Sequence, residues 1–257
     1  MKYKIIFFDV DGTITSHTDG TVHESTKDAI HKLLEKGVKV VAATGRPLSM
    51  CGELQELGID TFITANGGYV KHQNHVIYKN VLNPLIVQEV MNYAATEKNA
   101  LTFYSEKLQM NDIQHPVILQ ALNETLSLTN YPETNLLAHK EEIYLMCLFA
   151  DEEVVEKYTT RFPQLTFKRW HPYILNVLDN EVSKSRAIVE VLNYFGIDKR
   201  EAVAFGDGEN DIDMLELVDV GIAMGNGGDK LKSIANFVTK PSDKDGIAFA
   251  LKKYALI

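Results

Sequence analysis

The sequence predicts an α/β protein, a doubly wound, Rossmann-like parallel sheet interrupted by an inserted α+β lobe. Three observations carry that prediction. Short, nearly continuous apolar runs, the pattern of parallel strands buried on both faces, alternate with stretches whose apolar residues recur at helical spacing. Polar or glycine-rich clusters follow several of those runs, at the strand ends where open α/β sheets bind ligands. From residue 82 to residue 182 this pattern stops, and the strands become longer and more alternating.

Residues 4–8 form the first buried strand, which runs into Asp9-Val10-Asp11-Gly12-Thr13. Side chains two apart on a strand share a face, so Asp9 and Asp11 can address one ligand together, and Gly12 permits a sharp turn. Two close carboxylates repel unless a cation lies between them or one keeps its proton. The pair therefore reads as a Mg²⁺ site, an acid/base couple, or both. Ile30, Leu33 and Leu34 mark a helix that Gly37 is placed to close. Residues 38–43 are a second strand ending in Thr44-Gly45-Arg46-Pro47, and residues 62–65 a third ending in Asn66-Gly67-Gly68.

Beyond the lobe, Ala187, Ile188, Val191, Leu192 and Phe195 share one helical face, and Gly196 follows as its stop. Residues 202–205 are a strand that leads into Gly206-Asp207-Gly208-Glu209-Asn210-Asp211. Strands at 220–223 and 237–238 and helices near 211–217 and 246–254 complete the core, with Gly225-Asn226-Gly227 read as a plain turn. In the lobe, helices are expected near 84–97, 116–126 and 151–162, and strands at 142–149 and 166–169. The predicted organisation is a core of residues 1–81 and 183–257 around a lobe of residues 82–182.

Composition narrows the function. A chain of 257 residues, 45% hydrophobic and 24% charged, is an ordinary globular composition with room for a large core. A formal net charge of −9 argues against nucleic-acid and anionic-membrane partners, which select basic patches. No stretch approaches the length of a membrane span, and a cytoplasmic location is expected. Cys51 and Cys147 lie far apart without metal-ligand spacing and read as buried, reduced thiols, while His72, His75 and His115 read as surface or turn residues.

Taken in order, Asp9-Val-Asp11-Gly-Thr13, Thr44-Gly45-Arg46, Lys184 and Gly206-Asp207-Gly-Glu-Asn210-Asp211 resemble the four motifs of the haloacid dehalogenase superfamily, and the chain resembles its Cof-type phosphatases. Spacing also identifies the subtype. About thirty residues separate Asp11 from Thr44, too few for an inserted domain, whereas about 140 separate Thr44 from Lys184. The resemblance therefore implies an α/β cap of the second type, after the third strand. One departure stands out: relatives often place glycines around the lysine, where this chain has Glu181, Ser183 and Ser185.

The resemblance implies a Mg²⁺-dependent phosphatase of small phosphate esters. Asp9 would be the nucleophile that forms an aspartyl-phosphate, and Asp11 the general acid/base. Thr44, with its hydroxyl and backbone N–H, Gly45, Lys184 and Asn210 would hold the phosphoryl group. Asp9, the Asp11 main-chain carbonyl and Asp207 would hold Mg²⁺, with Asp211 acting through a water. Arg46 pairs with a surface carboxylate or reaches the cap or substrate. Arg169 and Trp170, beside His171 and Tyr173, are candidates for leaving-group recognition. A monomer or weak homo-oligomer is expected. Two other readings use the same residues: a phosphotransferase or mutase that passes the group to a hydroxyl, and a non-catalytic phosphoacceptor or binding module.

Overall fold

The computed structural model describes residues 2–257, which divide into two compact units. One holds the residues up to Arg46 together with Cys51–Lys79 and Ser183–Ile257, and the other holds Pro47–Met50 and Asn80–Val182.

The first unit is built on an eight-stranded sheet. From one edge its strands are Phe237–Val238, Val220–Ala223, Ala202–Gly206, Ile5–Asp9, Lys39–Ala43, Thr61–Thr64, Tyr69–His72 and His75–Lys79. The first six are mutually parallel, as expected from near-continuous apolar runs. The last two differ from the parallel expectation: they add an antiparallel hairpin, turned at Gln73-Asn74 with Gln73 in the left-handed region (φ 51°). The strand His75–Lys79 has no buried residue and exposes Val76, so the hairpin lacks the buried apolar run that marks its neighbours.

Register is what places the site. Asp9 lies beside Ala43, and Phe8 beside Phe205, so the chain leaves three adjacent strands at one level. The helix Lys184–Phe195 buries Ala187, Ile188, Val191 and Leu192 against Ile5, Phe7, Ala202 and Ala204, with Ile188, Val191 and Leu192 each contributing roughly 1.5–3 kcal/mol by burial. Ser183 starts that helix by accepting a hydrogen bond from the Arg186 N–H, and Gly196 ends it in the left-handed conformation.

The second unit has a six-stranded sheet in the order Leu165–His171, Ile174–Asp179, Leu145–Phe149, Ala100–Tyr104, Leu108–Met110, Glu133–Thr134, antiparallel except for its last pair. Helices Pro84–Glu97, Pro116–Leu126 and Glu152–Arg161 accompany it, and Val87, Val90 and Ala94 pack with Leu101, Phe103, Met146, Leu148, Tyr158 and Phe162. The strand expected over 142–149 is shorter, beginning at Leu145, and the one expected over 166–169 is longer and pairs with Ile174–Asp179 as a hairpin. Cys51 and Cys147 are buried and form no disulfide. Among the described residues no helix is long and apolar enough to cross a membrane.

Candidate active site

The site stands at the carboxyl ends of the central parallel strands. Asp9 is the last residue of its strand and is nearly inaccessible, and Lys184, in the first turn of its helix, is 1% exposed. The lysine Nζ donates to Asp9 Oδ1 at 2.5 Å and to Asp211 Oδ1 at 2.7 Å. Burial alone would lower its pKa, but the Asp211 and Asp9 charges outweigh burial and hold it above the ordinary lysine value. The ammonium is therefore a fixed positive charge at the strand end. Ser183 is consumed as that helix's N-cap.

The approach of Lys184 depends on Gly67. This residue has φ +106°, and a Cβ there would stand 2.2 Å from the Ser183 carbonyl oxygen. Only glycine lets the two loops meet this closely.

Asp211 is fully buried and organises the neighbouring loop. Its Oδ2 accepts from the backbone N–H groups of Asp207 at 3.0 Å and Gly208 at 2.9 Å, while Oδ1 faces Lys184. Asp207 accepts from the Thr13 hydroxyl at 3.2 Å on Oδ1 and from the Asn226 amide at 3.0 Å on Oδ2. Gly12 makes that proximity possible: it has φ +83°, and a Cβ there would come within 2.3 Å of Asp207 Oδ2.

Carboxylate oxygens of Asp9, Asp207 and Asp211 lie within 4.8 Å of one another. Burial, and then the Asp211 charge, push the Asp207 carboxyl up to about 6 and the Asp9 carboxyl well above its usual range, with Lys184 opposing the shift at Asp9. Hard oxygen donors that repel one another in a buried place fit a hard divalent cation, which would remove the cost of ionising them.

Asp11 is more open, with half its side chain exposed, and it receives the Arg46 guanidinium through both Nε, at 3.1 Å to each oxygen, and Nη2. Of the roles open to Arg46 in the sequence, pairing with an exposed carboxylate is the one observed, and that carboxylate is Asp11. Thr44 corrects one expectation. Its N–H is spent on the Ile63 carbonyl at 2.8 Å, continuing the sheet register, so only its hydroxyl, which accepts from the Arg46 N–H at 3.0 Å, remains to address an anion. Asn210 donates to Asn66 Oδ1 at 3.1 Å, and the Asn66 amide lies over Gly45.

Arg169 and Trp170 belong to the second unit. Arg169 is held within its own unit: Nε donates to Glu152 at 3.0 Å and Nη1 donates to the Ala150 and Pro172 carbonyls at 3.1 and 2.8 Å, while Nη2 is buried without a hydrogen-bond partner among the described residues. Trp170 is 45% exposed, and His171 pairs with Glu124 at 3.2 Å. His115 caps the Pro116–Leu126 helix, and His72 accepts or donates against the Thr61 hydroxyl at 2.8 Å.

Sequence reasoning missed Thr13, Asn66 and Asn226 as members of this constellation. Asn66 and Asn226 sit in glycine-flanked turns directly after strands, the same signal that marked Asp207, but without an acidic neighbour to draw attention to them.

The profile of the haloacid dehalogenase-like hydrolases matches residues 6–251. The chain is 39% identical over 260 residues to YkrA of Bacillus subtilis (strain 168), whose phosphatase name is provisional, with all of both chains covered. It is 27% identical over 275 residues, 98% of each chain, to YitU of the same organism, a 5-amino-6-(5-phospho-D-ribitylamino)uracil phosphatase. Among solved structures, the HAD subclass IIB sugar phosphatase BT4131 superposes with a TM-score of 0.87 at 31% identity, over 99% of this chain and 100% of that one.

Proposed function

The chain belongs to the haloacid dehalogenase-like hydrolases and is a phosphatase, and from that premise we propose that it hydrolyses small phosphorylated metabolites with Mg²⁺ through an aspartyl-phosphate on Asp9. One observation supports this most: a buried lysine bridges the carboxylate that ends the first strand and a second buried carboxylate, with Asp11 two residues further on.

In this reading Asp9 attacks the phosphorus, forming the acyl-phosphate bond as the bond to the leaving oxygen breaks, and Asp11 gives that oxygen a proton. Asp11 then takes a proton from the water that hydrolyses the aspartyl-phosphate, which restores both residues. Lys184 holds Asp9 in place and offsets the charge that gathers on the phosphoryl oxygens in the transition state. The Thr44 hydroxyl, Gly45 and Asn210 receive that group. Asp9, Asp207 and the Asp11 carbonyl would hold Mg²⁺, with Asp211 at one remove, and the bound cation would supply electrophilic stabilisation of the phosphoryl group.

Arg46 holds Asp11 between turnovers. Substrate choice falls to the second unit, where the candidates for leaving-group contact are Trp170, which is exposed, and Arg169, which is engaged through Nε and Nη1 and keeps Nη2 unpartnered. Sugar phosphates and phosphorylated cofactors, flavin- or pyridoxal-like, are the substrate classes this reading favours. It places the enzyme in the cytoplasm as a monomer or weak homo-oligomer.

The test is phosphate release from a panel of phosphorylated sugars and cofactors, with Mg²⁺ and with chelator, by the wild type and by Asp11→Asn. Mg²⁺-dependent release is expected, and Asp11→Asn should lose esters of poor leaving groups far more than esters of good ones. Chelator-resistant turnover would reject the metal, and equal losses across leaving groups would reject Asp11 as the acid.

A further inference from the structure

We propose that Asn226 is a positioning residue of the cation site, whose side chain fastens the Asp207 carboxylate to the backbone of the turn carrying Asp11. The inference rests on the Mg²⁺ reading above and names a residue for which that reading has no role.

Asn226 lies in a segment that looks like a bare turn. The side-chain oxygen accepts from the Ser242 N–H at 2.9 Å, which fixes the amide's orientation. Its nitrogen then faces two acceptors, the Gly12 carbonyl at 2.8 Å and Asp207 Oδ2 at 3.0 Å. An amide nitrogen has two protons, and both are thereby used. The acceptors come from different segments, 214 and 19 residues away along the chain.

The segment is also held in place. The Met224 N–H donates to the Gly206 carbonyl at 2.9 Å, so Asn226 is tied to the strand end from which Asp207 projects. The Gly225 N–H donates to the Lys240 carbonyl at 3.1 Å, and a Cβ on Gly225 would meet the Pro241 nitrogen at 2.5 Å. The turn is wedged against the Lys240-Pro241 backbone and has little freedom to carry its side chain elsewhere.

The chemistry explains why an amide stands there. With Thr13 on Oδ1 and Asn226 on Oδ2, the Asp207 carboxylate is held from both sides by neutral donors. Neutral donors fix its rotation and leave its negative charge for a cation, whereas a lysine would neutralise it and an aspartate would repel it. Outer partners that orient a metal-binding carboxylate typically govern affinity by about 10–100-fold.

The test is Mg²⁺ binding to the full-length, metal-free protein, measured by isothermal titration calorimetry without substrate, for the wild type, Asn226→Ala and Asn226→Ser. Melting temperature in chelator reports whether each variant folds. Asn226→Ala should weaken Mg²⁺ binding by about tenfold or more, and Asn226→Ser, which keeps one short donor, by less. At saturating Mg²⁺ the kcat of both should return to within a few-fold of wild type, because the affinity moves and the chemistry does not. If folded variants bind Mg²⁺ within twofold of wild type, the positioning role is wrong and the metal reading stands. If the wild type binds no Mg²⁺, the metal reading falls and this inference with it. If neither variant folds without metal, Asn226 is a structural residue and the proposal is overturned.

Discussion

Asp9 and Lys184 are buried together, so changes at the two should separate catalysis from stability in opposite ways. Asp9 carries its charge at a cost, its carboxyl raised first by burial and then by Asp211. Asp9→Asn removes that cost with the nucleophile, so phosphate release should fall below detection while the metal-free protein melts higher than wild type. Turnover by a folded Asp9→Asn protein would defeat the covalent mechanism. Lys184→Met strands Asp9 and Asp211 without their shared cation, and breaking a buried ion pair in this way costs about 3–5 kcal/mol. Its kcat should also drop for every substrate, on the order of a hundredfold, as when an oxyanion donor is lost. Denaturant titration and steady-state kinetics on that variant check both, and undiminished stability would show that the pair does not anchor the site. The acidic residues among these were legible in the sequence because a carboxylate after an apolar run needs a reason to be there. Thr13 and Asn226 were not, since their partners lie 194 and 214 residues away and their residue types are ordinary in turns. Arg46 was legible as a charge but not as the partner of Asp11, because nothing in its own neighbourhood specifies that contact.

At the scale of elements, the parallel core could be read because its central strands are buried on both faces and end in polar clusters. The hairpin Tyr69–His72 and His75–Lys79 could not, because its edge strand has no buried residue and Lys71, His72 and His75 interrupt any apolar run. In the second unit the strands Ala100–Tyr104, Leu108–Met110 and Ile174–Asp179 are not specified locally, since antiparallel strands depend on partners that only the fold supplies. The loop junctions carry the element-scale prediction. Gly67 brings the loop after the third core strand onto the start of the Lys184–Phe195 helix, and its backbone lies where other residues are strained. Gly67→Ala must move the Ser183 carbonyl or abandon φ +106°, and either should cost about 2 kcal/mol or more. Because Lys184 follows Ser183 directly, activity should fall along with stability. A Gly67→Ala protein with wild-type kcat and denaturation midpoint would show that the junction tolerates a side chain and that Lys184 is positioned by other means.

For the molecule as a whole, the site's concentrated negative charge within a chain of net charge −9 couples folding, pH and cation binding. Asp207 is raised from the ordinary value of 3.8 to about 6 by burial and the Asp211 charge, and Asp9 is raised in the same direction. A carboxyl with a raised folded-state pKa binds its proton more tightly folded than unfolded. Through these groups the metal-free fold therefore gains stability as pH falls through 6 and loses it as pH rises. Mg²⁺ acts in the opposite sense, because it binds the ionised carboxylates of the folded chain and must displace those protons below that pH. The rise in melting temperature that saturating Mg²⁺ produces over chelator should therefore be largest and flat above pH 7, and should shrink steadily between pH 6.5 and pH 5. Comparing the two conditions at each pH cancels the titration of surface groups far from the cation. An increment that stays constant down to pH 5 would mean that Asp207 and Asp9 are already ionised in the metal-free fold, and that the cation is not what relieves their repulsion.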